Sequence, residues 1–552
     1  MGKRKRTENI QKNYPSEELL IPAVALMIML LLAWTWTIIV AKTGLSGAAY
    51  FFSVFHVILV VMVVLPYTLK SVIAIAVRKR AEQNQFRNAK CILNAGILIS
   101  IIYSIITVSL LYIFSDSLLQ SVLINQKSQL TLMILNTVIL FYSIACTFMG
   151  YFEGLGGSFP LLLASITGHL VMTIATAIFT DLFMKQGEKA ANVLRIQGTQ
   201  YAYGAVGAAI GITAGIVIMC IAILVMYQFY SSYFRRLLKR DTSRRRTDTV
   251  DVVTRLIRQV LPIAGSYLMM LLYPVIDQTI FFRTMGSGQD AILMSYQWGA
   301  YDGLYGGVMF LPLLIALALA SREREKISLA FRSGDYHEVR IKAHGMIRDN
   351  IIISLFFMVL LLVMADKVIV GFFMVESALA VRLIRCGCIA LILLSLSVLL
   401  LILLPAINMS IAALITGICA LAANVLTAFL TIKVLSLGVY GAMISVIVFG
   451  LVYVLLGIMF LGRAVRGRID LRKTFYCPFL SAAITGIAML LLGLLFELFL
   501  PPILNVLATL VISFVIYFIA LAKLDVISAY SVSRFPFGEL LLRFGKMIGI
   551  FP

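Results

Sequence analysis

Long apolar runs separated by short polar stretches fill this chain almost from end to end. A helix needs about 20 apolar residues to cross the hydrocarbon core of a bilayer. Fourteen such runs can be marked, the first at 19–42 and the last at 503–523. The predicted fold is therefore an all-α polytopic membrane protein with about 14 transmembrane helices. The pattern also carries a faint internal repeat. Pro22 in LLIPAVALMIMLL recurs as Pro262 in VLPIAGSYLMMLL, Thr176-Ala177 as Thr427-Ala428, and Tyr203-Gly204-Ala205 as Tyr440-Gly441-Ala442. Six spans per copy is an even number, so the copies share one orientation and relate by an axis along the membrane normal. The chain then divides into a basic tail (1–18), an N-terminal six-helix lobe (19–230), a basic linker (231–259), a C-terminal six-helix lobe (260–463), two additional helices (464–523) and an amphipathic tail (524–552).

Composition sharpens this reading. Hydrophobic residues make up 61% of the chain and charged ones 13%, against roughly 45–50% apolar in soluble domains. A net charge of +21 would point to nucleic acid in a soluble protein. Here most Lys and Arg fall in the N-tail, 78–90, 235–258, 322–348, 463–473 and the C-tail, all on one face of a fourteen-span topology. The positive-inside rule makes that face cytoplasmic, with both termini, in a cell membrane. No nucleic-acid partner is implied. The first run is too long for a signal peptide and is read as an uncleaved span. The seven cysteines form no CxxC pair, and no metal or cofactor is expected. GxSxG, HExxH and Walker-type motifs are absent, so the chain offers no catalytic residues and does not read as an enzyme.

Charges inside the spans are the candidate chemistry, because an ionisable group at membrane depth costs several kcal/mol unless it lines a cavity or finds a partner. Lys70 follows Pro66 in the second span. Asp277 lies three residues after Pro274, and Arg283 ends the same span. Asp302 sits among small residues in WGAYDGLYGG, beside Tyr301, Gly303, Gly306 and Gly307. These sites invite helix bending, so Lys70, Asp277, Arg283 and Asp302 are expected to face a central cavity, with Pro66, Pro274 and the three glycines as hinges. The competing reading is a set of separate ion pairs. His56, Glu153 and His169 are secondary candidates. Asp181, Asp366 and Lys367 fall near the outer ends and read as structural.

Four segments bring a family into view. GYFEGLGGSFPLLLAS (150–165), YPVIDQTIFFRTMG (273–286), FRSGDYHEVRIKAHGMIRDNIIISL (331–355) and SVSRFPFGELLLRF (531–544) resemble, in order, segments of the polysaccharide exporter, stage V sporulation protein B and lipid II flippase-like branch of the multidrug/oligosaccharidyl-lipid/polysaccharide (MOP) flippase superfamily. The resemblance implies two lobes around a central cavity and flipping of lipid-linked saccharides, such as peptidoglycan precursors, in contact with membrane lipids. Glycosyltransferases or envelope-assembly proteins would be its further partners. Relatives place two cationic residues in the first helix to hold a diphosphate; the matching positions here are Leu30 and Thr37. A cation-coupled drug exporter of the same superfamily, and a membrane scaffold that transports nothing, are the competing functions.

Overall fold

The structure is a computed structural model that describes residues 15–123, 126–196, 198–243, 247–286, 291–465, 472–527 and 538–547. Most of the basic tail 1–18 and much of the tail 524–552 lie outside these residues. The described part is helical, with no strand among its residues, and contains 13 stretches long and apolar enough to cross a membrane. The chain is a multi-pass membrane protein.

The first stretch counts twice. Helix α1 (Pro15–Met62) is interrupted at Gly44, where φ is 65° and ψ is −178°. That conformation is essentially open to glycine alone. Trp36 and Phe52 lie eight residues either side of it and stack with ring centroids 4.0 Å apart. In one straight helix the same residues would be about 24 Å apart at 1.5 Å per residue. The chain therefore folds back at Gly44 into a helical hairpin, and the thirteen stretches make fourteen crossings. The second arm continues through a π-helical turn at Val63–Tyr67, which holds Pro66, into α2 (Thr68–Glu82).

The rest of the first half is α3 (Phe86–Ile113), α4 (Gln129–Gly154), α5 (Ser158–Leu194) and α6 (Thr199–Phe229). A glycine stripe brings α6 against α5. A Cβ at Gly204, Gly207, Gly211 or Gly215 would collide in turn with Met184, the Phe179 carbonyl, Thr176 and Met172. Without a hydrophobic drive between helices in lipid, such backbone-to-backbone approach is what holds a pair together.

A short helix α7 (Ser231–Lys239) leads into the linker. Far from hanging free, the linker is strapped to the α2–α3 turn. The Thr242 amide donates to the Asn84 carbonyl at 3.0 Å, and the Arg87 amide donates to Asp241 Oδ1 at 3.0 Å. The Thr247 amide donates to Asn88 Oδ1 at 3.2 Å.

The second half runs through α8 (Thr249–Met285), α9 (Ala291–Gly299), a π-helical turn (Ala300–Tyr305), α10 (Gly306–Arg332), α11 (Tyr336–Val368), α12 (Ala378–Gly387), α13 (Ile389–Ala406), α14 (Ser410–Ala428) and α15 (Val439–Val465). Here Gly441 packs on Ile432, and the Thr431 hydroxyl lies 3.1 Å from the Gly441 carbonyl. Helices α16 (Cys477–Glu497) and α17 (Pro502–Lys523) lean on α11. Lys367 donates to the Gly493 carbonyl at 2.8 Å, and Tyr517 to the Ile352 carbonyl at 2.9 Å. Helix α18 (Gly538–Met547) closes the described chain.

Candidate functional site

The two halves meet along the end of the bundle opposite the linker. A Cβ on Gly299 would overlap the Leu45 carbonyl oxygen, so α9 lies directly on the Gly44 turn. One turn deeper, the Trp36 indole donates to the Gly303 carbonyl at 2.8 Å. The Arg283 guanidinium donates to the Ser121 carbonyl at 2.6 Å, and the Thr279 hydroxyl lies 3.0 Å from the Val122 carbonyl and 2.7 Å from that of Val275 in its own helix. These contacts seal that end. Towards the linker end Leu26, Met27, Leu30 and Trp34 expose one face of the first arm of α1, while Tyr67 and Tyr267 still join the halves.

Asp302 sits at the inner edge of the seal, inside the π-helical turn. Its Oδ2 lies 3.4 Å from His56 Nδ1 in the first half, with side chains 9% and 13% exposed respectively. The two atoms approach as an ion pair but miss hydrogen-bond geometry, and neither has another protein hydrogen-bond partner. Tyr301 lies beside them, its hydroxyl donating to the Ala442 carbonyl at 3.2 Å.

Asp277 is fully buried within the second half. Asn424 donates to its Oδ2 at 3.2 Å and Ser445 at 2.9 Å. The Ser445 hydroxyl also lies 2.7 Å from the Ala442 carbonyl, and its single proton can serve only one of the two. Asp277 Oδ1 and Asn424 Oδ1 have no protein partner, and neither polar atom of neighbouring Gln278 has one. Buried oxygens without partners are costly and uncommon. Two of them, Asp277 Oδ1 and Asn424 Oδ1, belong to one hydrogen-bonded pair of side chains, and a carboxylate so buried is a candidate seat for a proton or cation.

The other predicted residues lie elsewhere. Lys70 pairs with Glu153 across α2 and α4, Nζ to Oε2 at 3.5 Å. Arg283 is exposed at the sealed end. Tyr67 and Tyr267 touch at 5.9 Å between centroids, and Arg283 is about 24 Å farther along α8 than Tyr267 at 1.5 Å per residue. Lys70, one turn from Tyr67, therefore cannot share a headgroup with Arg283, and the expected four-residue cluster is not one site. His169 Nδ1 bonds its own helix at the Ser165 carbonyl, 2.6 Å away. Pro274 does not break its helix: α8 is continuous through it, with Tyr273 held on Phe449 at 4.8 Å and Asp277 tied to α14 and α15. The bending falls at Gly44 and in the π turns, where Gly303 lies in the turn and Gly306 and Gly307 begin α10. Asp181, Asp366 and Lys367 pair with Lys42, Arg385 and Glu497 respectively.

Sequence reasoning missed Asn424, Ser445, Trp36 and Gly44. Asn424 was detectable as a lone amide in an apolar span, three residues before the repeated Thr427-Ala428.

No protein-family model matches the sequence, and no curated protein matches it significantly. Solved structures do match. The lipid II flippase MurJ in an inward closed conformation superposes with a TM-score of 0.60 at 14% identity, over 91% of this chain and 97% of that one. An inward-facing multidrug resistance MATE family transporter of the MOP superfamily gives 0.58 at 16% identity, over 82% of this chain and 96% of that one. Its outward-facing counterpart gives 0.59 at 18% identity, over 81% and 94%. The chain has the fold that these MATE and MurJ structures share.

Proposed function

We propose that this chain is an alternating-access transporter that flips a lipid-linked saccharide across the membrane. The observation that carries the reading is the seam at the end opposite the linker, where the two halves join from Leu45–Gly299 to Trp36–Gly303. A change in the relative tilt of the halves that parts this seam would expose the interior to that side. The MurJ likeness extends over 91% of the chain and the MATE likeness over 82%. That excess is comparable in length to α16 and α17, which supports lipid-linked cargo over a soluble drug.

Two sources of energy suit the cargo. A diphosphate of about −2 moved outwards gains roughly 4–5 kcal/mol at 100 mV, from about 2.3 kcal/mol per charge. The Asp277, Asn424 and Ser445 cluster adds a seat for a coupling proton or sodium ion. That cluster is equally suited to a cation-coupled multidrug exporter, the second reading. The test is reconstitution of the full chain in liposomes with a fluorescent lipid-linked saccharide on the inner leaflet. Flipping that depends on potential or on a cation gradient supports the first reading. Gradient-driven efflux of a cationic dye, with no flipping, replaces it with the second.

A further inference from the structure

We infer that His56 and Asp302 form a proton-binding latch on the outer seal, taking up one proton when the seal closes and releasing it when the seal opens. The inference rests on the alternating-access reading and adds to it the ion that governs the seal. His56 belongs to the first half and Asp302 to the second, so their 3.4 Å approach exists only while the halves are together. Both facing atoms are inaccessible to solvent and have no other protein partner.

A dry pair of this kind has two low-cost forms, imidazolium beside carboxylate and neutral imidazole beside carboxylic acid. Each holds one proton. Neutral imidazole beside a bare carboxylate holds none, and it leaves an uncompensated buried charge costing several kcal/mol. Once the halves part, water solvates both groups and the pair no longer needs the shared proton to avoid a buried charge. Closure is thus linked to proton uptake, and the ratio of closed to open forms should fall as pH rises. The titratable groups beside Asp302 on packed elements are Tyr273 of α8 and Tyr301 of the π turn itself.

The experiment measures the distance between spin labels at Glu188→Cys and Leu435→Cys, one on each half at the sealed end, in the full chain in lipid nanodiscs. The exposed Cys386 and Cys419 are replaced by Ser. The labels should be close at pH 6 and increasingly separated towards pH 8.5. Asp302→Asn leaves no charge to neutralise, so the seal should stay closed across that range. His56→Gln leaves the carboxylate as the sole proton site, so the transition should persist but move to lower pH. An unchanged distance in the wild-type chain from pH 5 to 8.5 would overturn the latch. So would an Asp302→Asn chain that titrates like the wild type, which would assign the proton to Asp277. Should Asp302→Asn fail to fold, the acid shift in His56→Gln decides alone. The readout is a conformation, so a chain that flips nothing yet titrates as described would refute the transport reading and leave the latch standing.

Discussion

Asp277 has Asn424 and the Ser445 hydroxyl within hydrogen-bond distance of one oxygen and no protein partner on the other, and that asymmetry sets what its replacement should do. Asp277→Asn keeps the shape but removes the charge that would seat a cation. Coupled transport in liposomes should fall at least tenfold, while the thermal midpoint in detergent should hold or rise, because burying a carboxylate is itself unfavourable by a few kcal/mol. A variant that transports normally would remove Asp277 from the coupling scheme. At this scale the sequence was partly legible. It showed which spans carry acids, because charge in an apolar run is visible from composition alone. It did not show which way each acid turns, since helical phase without partners leaves every face open. Asp277 turned into its own half, Arg283 turned out at the sealed end, and His56 came to Asp302 from 246 positions away in the chain.

Helix pairs here are held by the absence of side chains as much as by their presence. Gly207 and Gly211 of α6 lie against the backbone of α5 at Phe179 and Thr176. Gly211→Val should force the pair apart and cost about 1–3 kcal/mol, seen as a lower melting temperature and reduced yield of folded protein. A melting curve equal to the wild type would show that α5 and α6 are not held by this contact. The linker strap makes a prediction of opposite character. Desolvation works to raise the Asp241 pKa, but hydrogen bonds from the Arg87 amide and from Ser243, with the Arg87 guanidinium alongside, hold it below the usual carboxylate range. A carboxyl group with a depressed pKa stabilises above its unfolded value, about 3.9, and that contribution is lost as pH falls through the folded value. Amide exchange at Thr242 and Arg87 should therefore stay slow from neutral pH down to about 4 and accelerate below it once corrected for intrinsic rates. In Asp241→Asn it should already be fast at pH 7. Existence of these helices was readable from apolar run length. Their breaks were legible only in part: Pro66 and Gly303 fall in π-helical turns, but the helix runs unbroken through Pro274, and the sharpest kink fell at Gly44, whose φ only the folded backbone reveals.

For the molecule as a whole, the two expectations about sidedness and closure can be separated by labelling. Glu82, at the linker end, and Glu188, at the sealed end, are both exposed. With an impermeant maleimide outside intact cells, Glu188→Cys should label and Glu82→Cys should not; the reverse pattern would invert the topology. The fourteen crossings and their order were legible because hydrophobic run length survives any amount of substitution. The closed seal was not, because it joins residues far apart in the chain through groups that every amino acid possesses. Arg283, Thr279 and Trp36 all reach main-chain carbonyls, of Ser121, Val122 and Gly303, and Gly299 rests on the carbonyl of Leu45. Such a gate imposes almost no demand on the identity of the residues it grips. Mutations can accumulate on the gripped side of the gate without opening it, so lineages can drift until their sequences no longer recognise one another. A gate of that design helps explain why the fold is shared at 14–18% identity while sequence comparison alone is silent.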